Sequence, residues 1–347
     1  MFQTFENKSA PQFGKARVDA LRARFDALGI DGFLVPRADE YQGEYVPEAS
    51  ERMAWLTGFT GSAGIVLVTR DQAVVFVDGR YTTQLTSQVD QSVFSGGDLV
   101  GAPPSIWLSE HAQQGFRLGI DPWLHTDAEL KRFEKTLGGK GGKVVLLKKN
   151  PLDALWDGRP SEPLEPVTIQ PDAFTGKLAK DKIAAVAETV QSKGAQAALV
   201  TDPSSIAWIF NIRGNDVPHT PHPLARAIIY ADGKADIFLD KRKTGIEVEA
   251  YLAQLGTQLP PSQIEPRLHA IASAGGRVMV DIDLAPVALT RAITAAGGDP
   301  VEAVDPVRLP RACKNEAELA GSAAAHVQDG EAGWTVRNRA ASARSRP

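Results

Sequence analysis

At 347 residues the chain has room for about two domains, each large enough to bury its own core. One cysteine, Cys313, excludes an internal disulfide, and a net charge of −4 with a pI near 5.9 argues against nucleic acid or an anionic membrane as partner, because no basic domain or stripe is present. No apolar run reaches the roughly 18 residues of a membrane span, and residues 1–14 lack the apolar segment of a signal peptide, so a soluble cytoplasmic protein is expected.

In chain order the elements are written twice. Val18, Leu21 and Phe25 share one face of a 3.6-residue period and lead to Gly29, where a left-handed C-cap is expected, then to the strand Phe33-Leu34-Val35. Next come Ala54-Trp55-Leu56 and two apolar runs, residues 65–69 and 73–77, on either side of Arg70-Asp71-Gln72. That hairpin spacing predicts a mixed rather than a purely parallel sheet. Phe76-Val77-Asp78-Gly79-Arg80 follows, the strand Leu118-Gly119-Ile120 ends on Asp121, and the unit closes on Asn150-Pro151-Leu152. About 160 residues on, the order returns. Ile183, Val186 and Val190 lead to Gly194 and Ala198-Leu199-Val200, then to Ala207-Trp208-Ile209 and a hairpin around Asp232-Gly233. Phe238-Leu239-Asp240-Lys241-Arg242, Val278-Met279-Val280-Asp281 and Asp305-Pro306-Val307 complete it.

Two repeats are too few and too long for a solenoid. The fold class is therefore α/β, with two homologous domains, each a mixed sheet flanked by helices. Boundaries fall at residues 1–165 and 166–310, the proline-rich residues 157–172 forming the linker. Residues 311–347 belong to neither repeat. Asn315 and Glu318 have capping-box spacing and residues 317–327 form a helical run. Residues 334–347 hold four arginines, no acid and little apolar content, so a disordered tail is expected there.

None of the six histidines sits in His-Glu-x-x-His. The close pair His219 and His222 lies among Pro218, Pro221 and Pro223, which forbid the helix that would align both imidazoles, and an ordered surface loop is the better reading. Asp281 and Asp283 could share one side of a strand, but a strand end before a proline turn favours simple solvation. Ser62, in Thr60-Gly61-Ser62-Ala63-Gly64, lacks the first glycine of a nucleophile elbow and precedes a strand instead of following one. Cys313, between Arg311 and Lys314, has no histidine near it in sequence and reads as structural. The residues thus offer no catalytic group, no metal ligand and no cofactor bound by this chain. Two arginines on turns keep a functional reading, Arg80 in Asp78-Gly79-Arg80-Tyr81 and Arg213 in Asn211-Ile212-Arg213-Gly214-Asn215-Asp216. Each is either a surface ion pair or a captor of a carboxylate or peptide carbonyl.

Four segments resemble, in order, the amino-terminal half of the three-domain Xaa-Pro aminopeptidases (aminopeptidase P). They are Tyr41-Gln42-Gly43-Glu44-Tyr45-Val46-Pro47, Thr57-Gly58-Phe59-Thr60-Gly61-Ser62-Ala63-Gly64, Val77-Asp78-Gly79-Arg80-Tyr81 and Trp208-Ile209-Phe210-Asn211-Ile212-Arg213-Gly214. The resemblance runs from Phe2 to about Glu331. It implies two creatinase-like amino-terminal domains ahead of a pita-bread catalytic domain, and release of the first residue from peptides whose second residue is proline. It also implies two divalent metals, usually manganese, held in that third domain by two Asp, one His and two Glu. Lys314-Asn315-Glu316-Ala317-Glu318-Leu319 and Ala325-His326-Val327-Gln328-Asp329-Gly330 are similar to the first helix of the catalytic domain.

After Glu331-Ala332 the likeness stops, before any metal ligand. The expectation is a chain truncated ahead of the catalytic domain, without activity of its own, for which peptide is a substrate only if a catalytic domain is supplied. By resemblance Arg80 takes the place of an arginine that contacts substrate. The alternative is a pseudoenzyme or binding module, as a homodimer or paired with a full-length relative.

Overall fold

The computed structural model describes residues 9–344, with side chains through residue 335. The first half lays down β1 (Gly32–Pro36), β2 (Gly64–Thr69), β3 (Ala73–Val77), β4 (Ser95–Asp98), β5 (Arg117–Ile120) and β6 (Lys143–Leu146). A short antiparallel pair, β7 (Thr168–Ile169) with β9 (Ile212–Arg213), opens the second half. There β8 (Ala197–Val200), β10 (Arg226–Tyr230), β11 (Ala235–Phe238), β12 (Thr257–Leu259), β13 (Val278–Val280) and β14 (Val301–Glu302) form the other sheet. The orders are β4-β3-β2-β1-β5-β6 and β12-β11-β10-β8-β13-β14, the same topology twice. Antiparallel hairpins fill the middle of each, and the remaining ladders are parallel, so both sheets are mixed.

The strands read as continuous apolar runs because both faces of each sheet are covered. In β1 the pleat sends Phe33 and Val35 into one core and Leu34 into the other; in β8, Ala198 and Val200 face one core and Ala197 and Leu199 the opposite one. Gly29 and Gly194 both take left-handed φ, +67° and +63°, where the sequence asks for it. The first helix is interrupted, however, as Gly14–Arg22 followed by Phe25–Leu28.

Each domain closes on buried carboxylate chemistry. Asn150 Nδ2 donates to Asp121 Oδ2 at 3.0 Å, and in the second copy the Asp305 amide donates to Asp281 Oδ2 at 2.9 Å. Asp281 also accepts from the Asp283 amide at 3.1 Å. Each of its carboxylate oxygens thus accepts from a main-chain amide, while the Asp283 side chain is exposed.

The domains meet through equivalent segments. Thr126 and Pro286, which precede the matching helices Asp127–Gly138 and Val287–Ala295, bridge one another antiparallel. The Ala128 amide donates to the Ile282 carbonyl at 3.1 Å, and the Ala288 amide to the Pro122 carbonyl at 2.9 Å. Since Ala128 matches Ala288 and Pro122 matches Ile282 in the repeat, the contact is reciprocal, as an isologous interface requires. Val287 is buried in the apolar cluster of the first domain.

The predicted capping box is formed: the Glu318 amide donates to Asn315 Oδ1 and the Asn315 amide to Glu318 Oε2, both at 3.0 Å. Gly176 makes room for it, because a Cβ there would lie 2.5 Å from Asn315 Oδ1. Where the composition predicts a disordered tail from residue 334, the helix runs Glu316–Arg344, and residues 345–347 lie outside the described residues. Alanine and arginine are strong helix formers, so backbone propensity supports a helix whose side chains through residue 335 are almost all exposed. No helix among the described residues is long and apolar enough to cross a membrane.

Candidate functional site

β3 ends at Val77, and the chain turns at Asp78. The Arg80 amide donates to Asp78 Oδ1 at 2.9 Å, a local turn of the kind aspartate favours. The Arg80 side chain folds back over the same carboxylate, Nε at 3.1 and 3.0 Å and Nη2 at 2.6 Å. This hydrogen bonding holds the Asp78 carboxyl below its usual range and raises the Arg80 guanidinium above its own. Two-thirds of the Arg80 side chain is still exposed (66%), and Nη1 has no hydrogen bond among the described residues. Tyr81 lies beside it, its ring centroid 5.2 Å from the guanidinium carbon, and Tyr81 Oη is 2.9 Å from Ser62 Oγ. Ser62 donates to Glu44 Oε1 at 2.9 Å, so the serine belongs to a polar rim and has no histidine activating it.

The second copy repeats the clamp. Arg242 donates to Asp240 from its amide at 2.9 Å, from Nε at 3.1 Å to each oxygen, and from Nη2 at 2.7 Å. The Asp-x-Arg geometry is thus a property of the repeated strand end. What distinguishes Arg80 is its surroundings, Tyr81, Ser62 and Glu44.

Arg213 stands elsewhere, at the end of β9. Its Nη1 donates to the carbonyls of Ala207 at 3.2 Å and Ile212 at 2.8 Å, and it makes no ion pair among the described residues. Burial lowers its pKa. It lines a cavity of about 520 Å³ with Trp208, His222, Arg311, Lys314 and Glu318. Sequence reasoning named Arg213 and these companions separately but did not bring them together, because segments about 100 residues apart in sequence converge there. The His219–His222 loop is ordered around a Val217–Thr220 bridge, with only His222 turned to the cavity. Cys313 is free and exposed.

Comparison with known proteins follows the same division. Residues 17–149 match the creatinase/prolidase N-terminal domain, and residues 158–318 match a second model of that description. The probable Xaa-Pro aminopeptidase P of Aspergillus fumigatus is 33% identical over 327 residues, 91% of this chain and 50% of the relative. That of Colletotrichum graminicola is 32% identical over 335 residues, 91% of this chain and 53% of the relative. The chain therefore spans about half the length of the curated relatives it matches. Among solved structures, the X-prolyl aminopeptidase of Caenorhabditis elegans, described as a cytosolic enzyme with a di-nuclear active site, superposes with a TM-score of 0.82 at 24% identity. That likeness covers 89% of this chain and 53% of the nematode chain, and it bears on the fold.

Proposed function

Because the chain belongs to the creatinase/prolidase N-terminal-domain family and carries that domain twice, we propose that it is the substrate-positioning half of a metal-dependent Xaa-Pro aminopeptidase, and that these 347 residues lack peptidase activity by themselves. The observation that carries this reading is the span of the likeness, nearly the whole of this chain against about half of each relative. The described residues offer no group of three or more His, Cys, Asp or Glu able to hold a metal. They do not fit a dinuclear centre; the metals, manganese in the family expectation, would be held elsewhere. A cytoplasmic location accords with the nematode enzyme.

Within this reading Arg80 is the residue that meets substrate. Asp78 engages Nε and Nη2, which fixes the guanidinium plane and leaves Nη1 to donate to a peptide carbonyl or carboxylate. Being permanently protonated, it binds without a proton transfer. Exposed Leu319, Val327 and Trp334 on the terminal helix favour a second role, pairing with another copy or a full-length relative, which sedimentation over a range of concentrations would detect.

The test joins this chain, after Ala325, to the catalytic domain of a relative. The chain alone should release no residue from an Xaa-Pro peptide with manganese present, whereas the chimera should. In the chimera Arg80→Ala should lower kcat/KM by about tenfold or more, the worth of one charge-assisted hydrogen bond. Arg242→Ala, which removes the same clamp from the second domain, should leave it unchanged. Manganese-dependent release by the chain alone overturns the proposal, and an active chimera indifferent to Arg80→Ala removes Arg80 from the substrate contacts.

A further inference from the structure

Arg213 has no part in the function proposed above, yet its setting is that of a binding residue. Of the buried arginines among the described residues, Arg37 is met by Glu51 at 3.0 Å and Arg52 by Glu40 and Asp153 at 2.7 Å each, while Arg226 donates to the Glu40 carbonyl and is covered by the Tyr41 and Trp123 rings. Arg213 is half-buried, meets only two main-chain carbonyls, and opens on a cavity of about 520 Å³, within the range of small-molecule sites.

Two more cations reach that cavity. Arg311 is tethered by Asp202 at 3.0 Å and by Ser204, and the exposed Lys314 donates to the Arg311 carbonyl. The lining carboxylate, Glu318, is already committed, accepting from Trp208 Nε1 at 2.9 Å and from the Asn315 amide at 3.0 Å. Three cations against Glu318 and Asp202 leave a surplus of one positive charge. His222 adds none at neutral pH, since burial, with Arg311 and Arg213 nearby, lowers its pKa. The rest of the wall is apolar, with Phe174, Trp208 and Leu319.

We propose that this cavity binds an amphiphilic carboxylate: one carboxylate, held by Arg213 with Lys314, joined to an apolar or aromatic group that packs against Trp208, Phe174 and Leu319. The C-terminus of a peptide ending in phenylalanine and a free arylalkanoic acid share this chemistry. One surplus charge in a largely apolar wall matches a carboxylate better than a phosphate dianion, which needs more donors and tolerates less desolvation. Binding at this cavity requires no peptidase activity.

Titration calorimetry on the full 347-residue chain tests it. The probes are N-acetyl-Ala-Phe as free acid and as C-terminal amide, and 3-phenylpropionate. The acid should bind about tenfold or more tightly than the amide, the worth of one charge-assisted hydrogen bond. Arg213→Gln should bring the acid down to the level of the amide. Nothing lies within 4 Å of a Cβ placed on Gly321, which lines the cavity, and leucine is a better helix former than glycine, so Gly321→Leu should fold and block both ligands. A peptide acid that binds more tightly than 3-phenylpropionate identifies a peptide terminus; equal affinities identify a small acid. Should Arg213→Gln not fold, Lys314→Ala takes its place and should weaken the acid while sparing the amide. Acid and amide binding alike, no binding at millimolar concentration, or binding unchanged by Gly321→Leu overturns the proposal.

Discussion

Lys182 is buried to 1% exposure, and its ammonium is held by the Asn211 side chain at 2.7 Å, by the Trp208 carbonyl at 3.0 Å and over the Trp208 ring at 4.0 Å. None of these partners is a carboxylate, so burial dominates and lowers its pKa from 10.5 to about 8. In the unfolded chain the amine titrates near its ordinary value, so between about 8 and 10.5 the unfolded state holds more proton than the folded one, and stability rises with pH across that window. Below about 8 both states are protonated and the full cost of burying the charge is carried. Subtracting the unfolding free energy of Lys182→Met from that of the native chain cancels the other titrating groups. The difference should climb in favour of the native chain from pH 8 to 10.5. A difference that stays level across the window means that Lys182 titrates as an ordinary lysine.

At the scale of the element, the terminal helix shows what holds a peripheral segment. Its first turn is tied down by Asn315, which caps Glu318 and donates from Nδ2 to the Thr175 carbonyl at 2.8 Å, and by the Glu318–Trp208 contact at 2.9 Å. Asn315→Ala should cost about 1 kcal/mol, the worth of a cap. Because the helix lies outside both apolar cores, the loss should be read as faster hydrogen exchange at Glu318 and Leu319, with the global unfolding midpoint nearly unmoved; an equal drop across all slow amides would mean that the helix unfolds with the domains. This cap was legible in the sequence because Asn315 and Glu318 are three residues apart. The strands were legible because both faces are buried, and the hairpins because Arg70-Asp71-Gln72 and Asp232-Gly233 interrupt apolar runs. The helix beyond Glu331 was not, since composition reports whether a segment can pack a core and this helix packs none. Nor was the Arg213 cavity, whose cations come from β9 and from residues 311–314, brought together only by the fold.

For the whole molecule, the repeat bears on how the domains are joined. The first amides of a helix have no partner within it and are met by a cap, water or another segment. Here Ala128 and Ala288, second residues of their helices, each donate to the carbonyl of the opposite domain. Thr290 Oγ1 adds a bond to Asp127 at 3.1 Å, and Lys131 pairs with Glu302 across the same seam. Each domain thus completes the helix start of the other, and neither set of donors is satisfied alone. Hydrogen exchange should find Ala128 and Ala288 protected to similar degrees in the intact chain, despite their place at helix starts. In the isolated first domain, residues 9–155, Ala128 should lose that protection while the β1 amides keep theirs. Fast exchange at Ala128 in the intact chain would mean that the domains part in solution and that the reciprocal seam does not hold them, leaving their relative placement to whatever else Arg80 and its substrate engage.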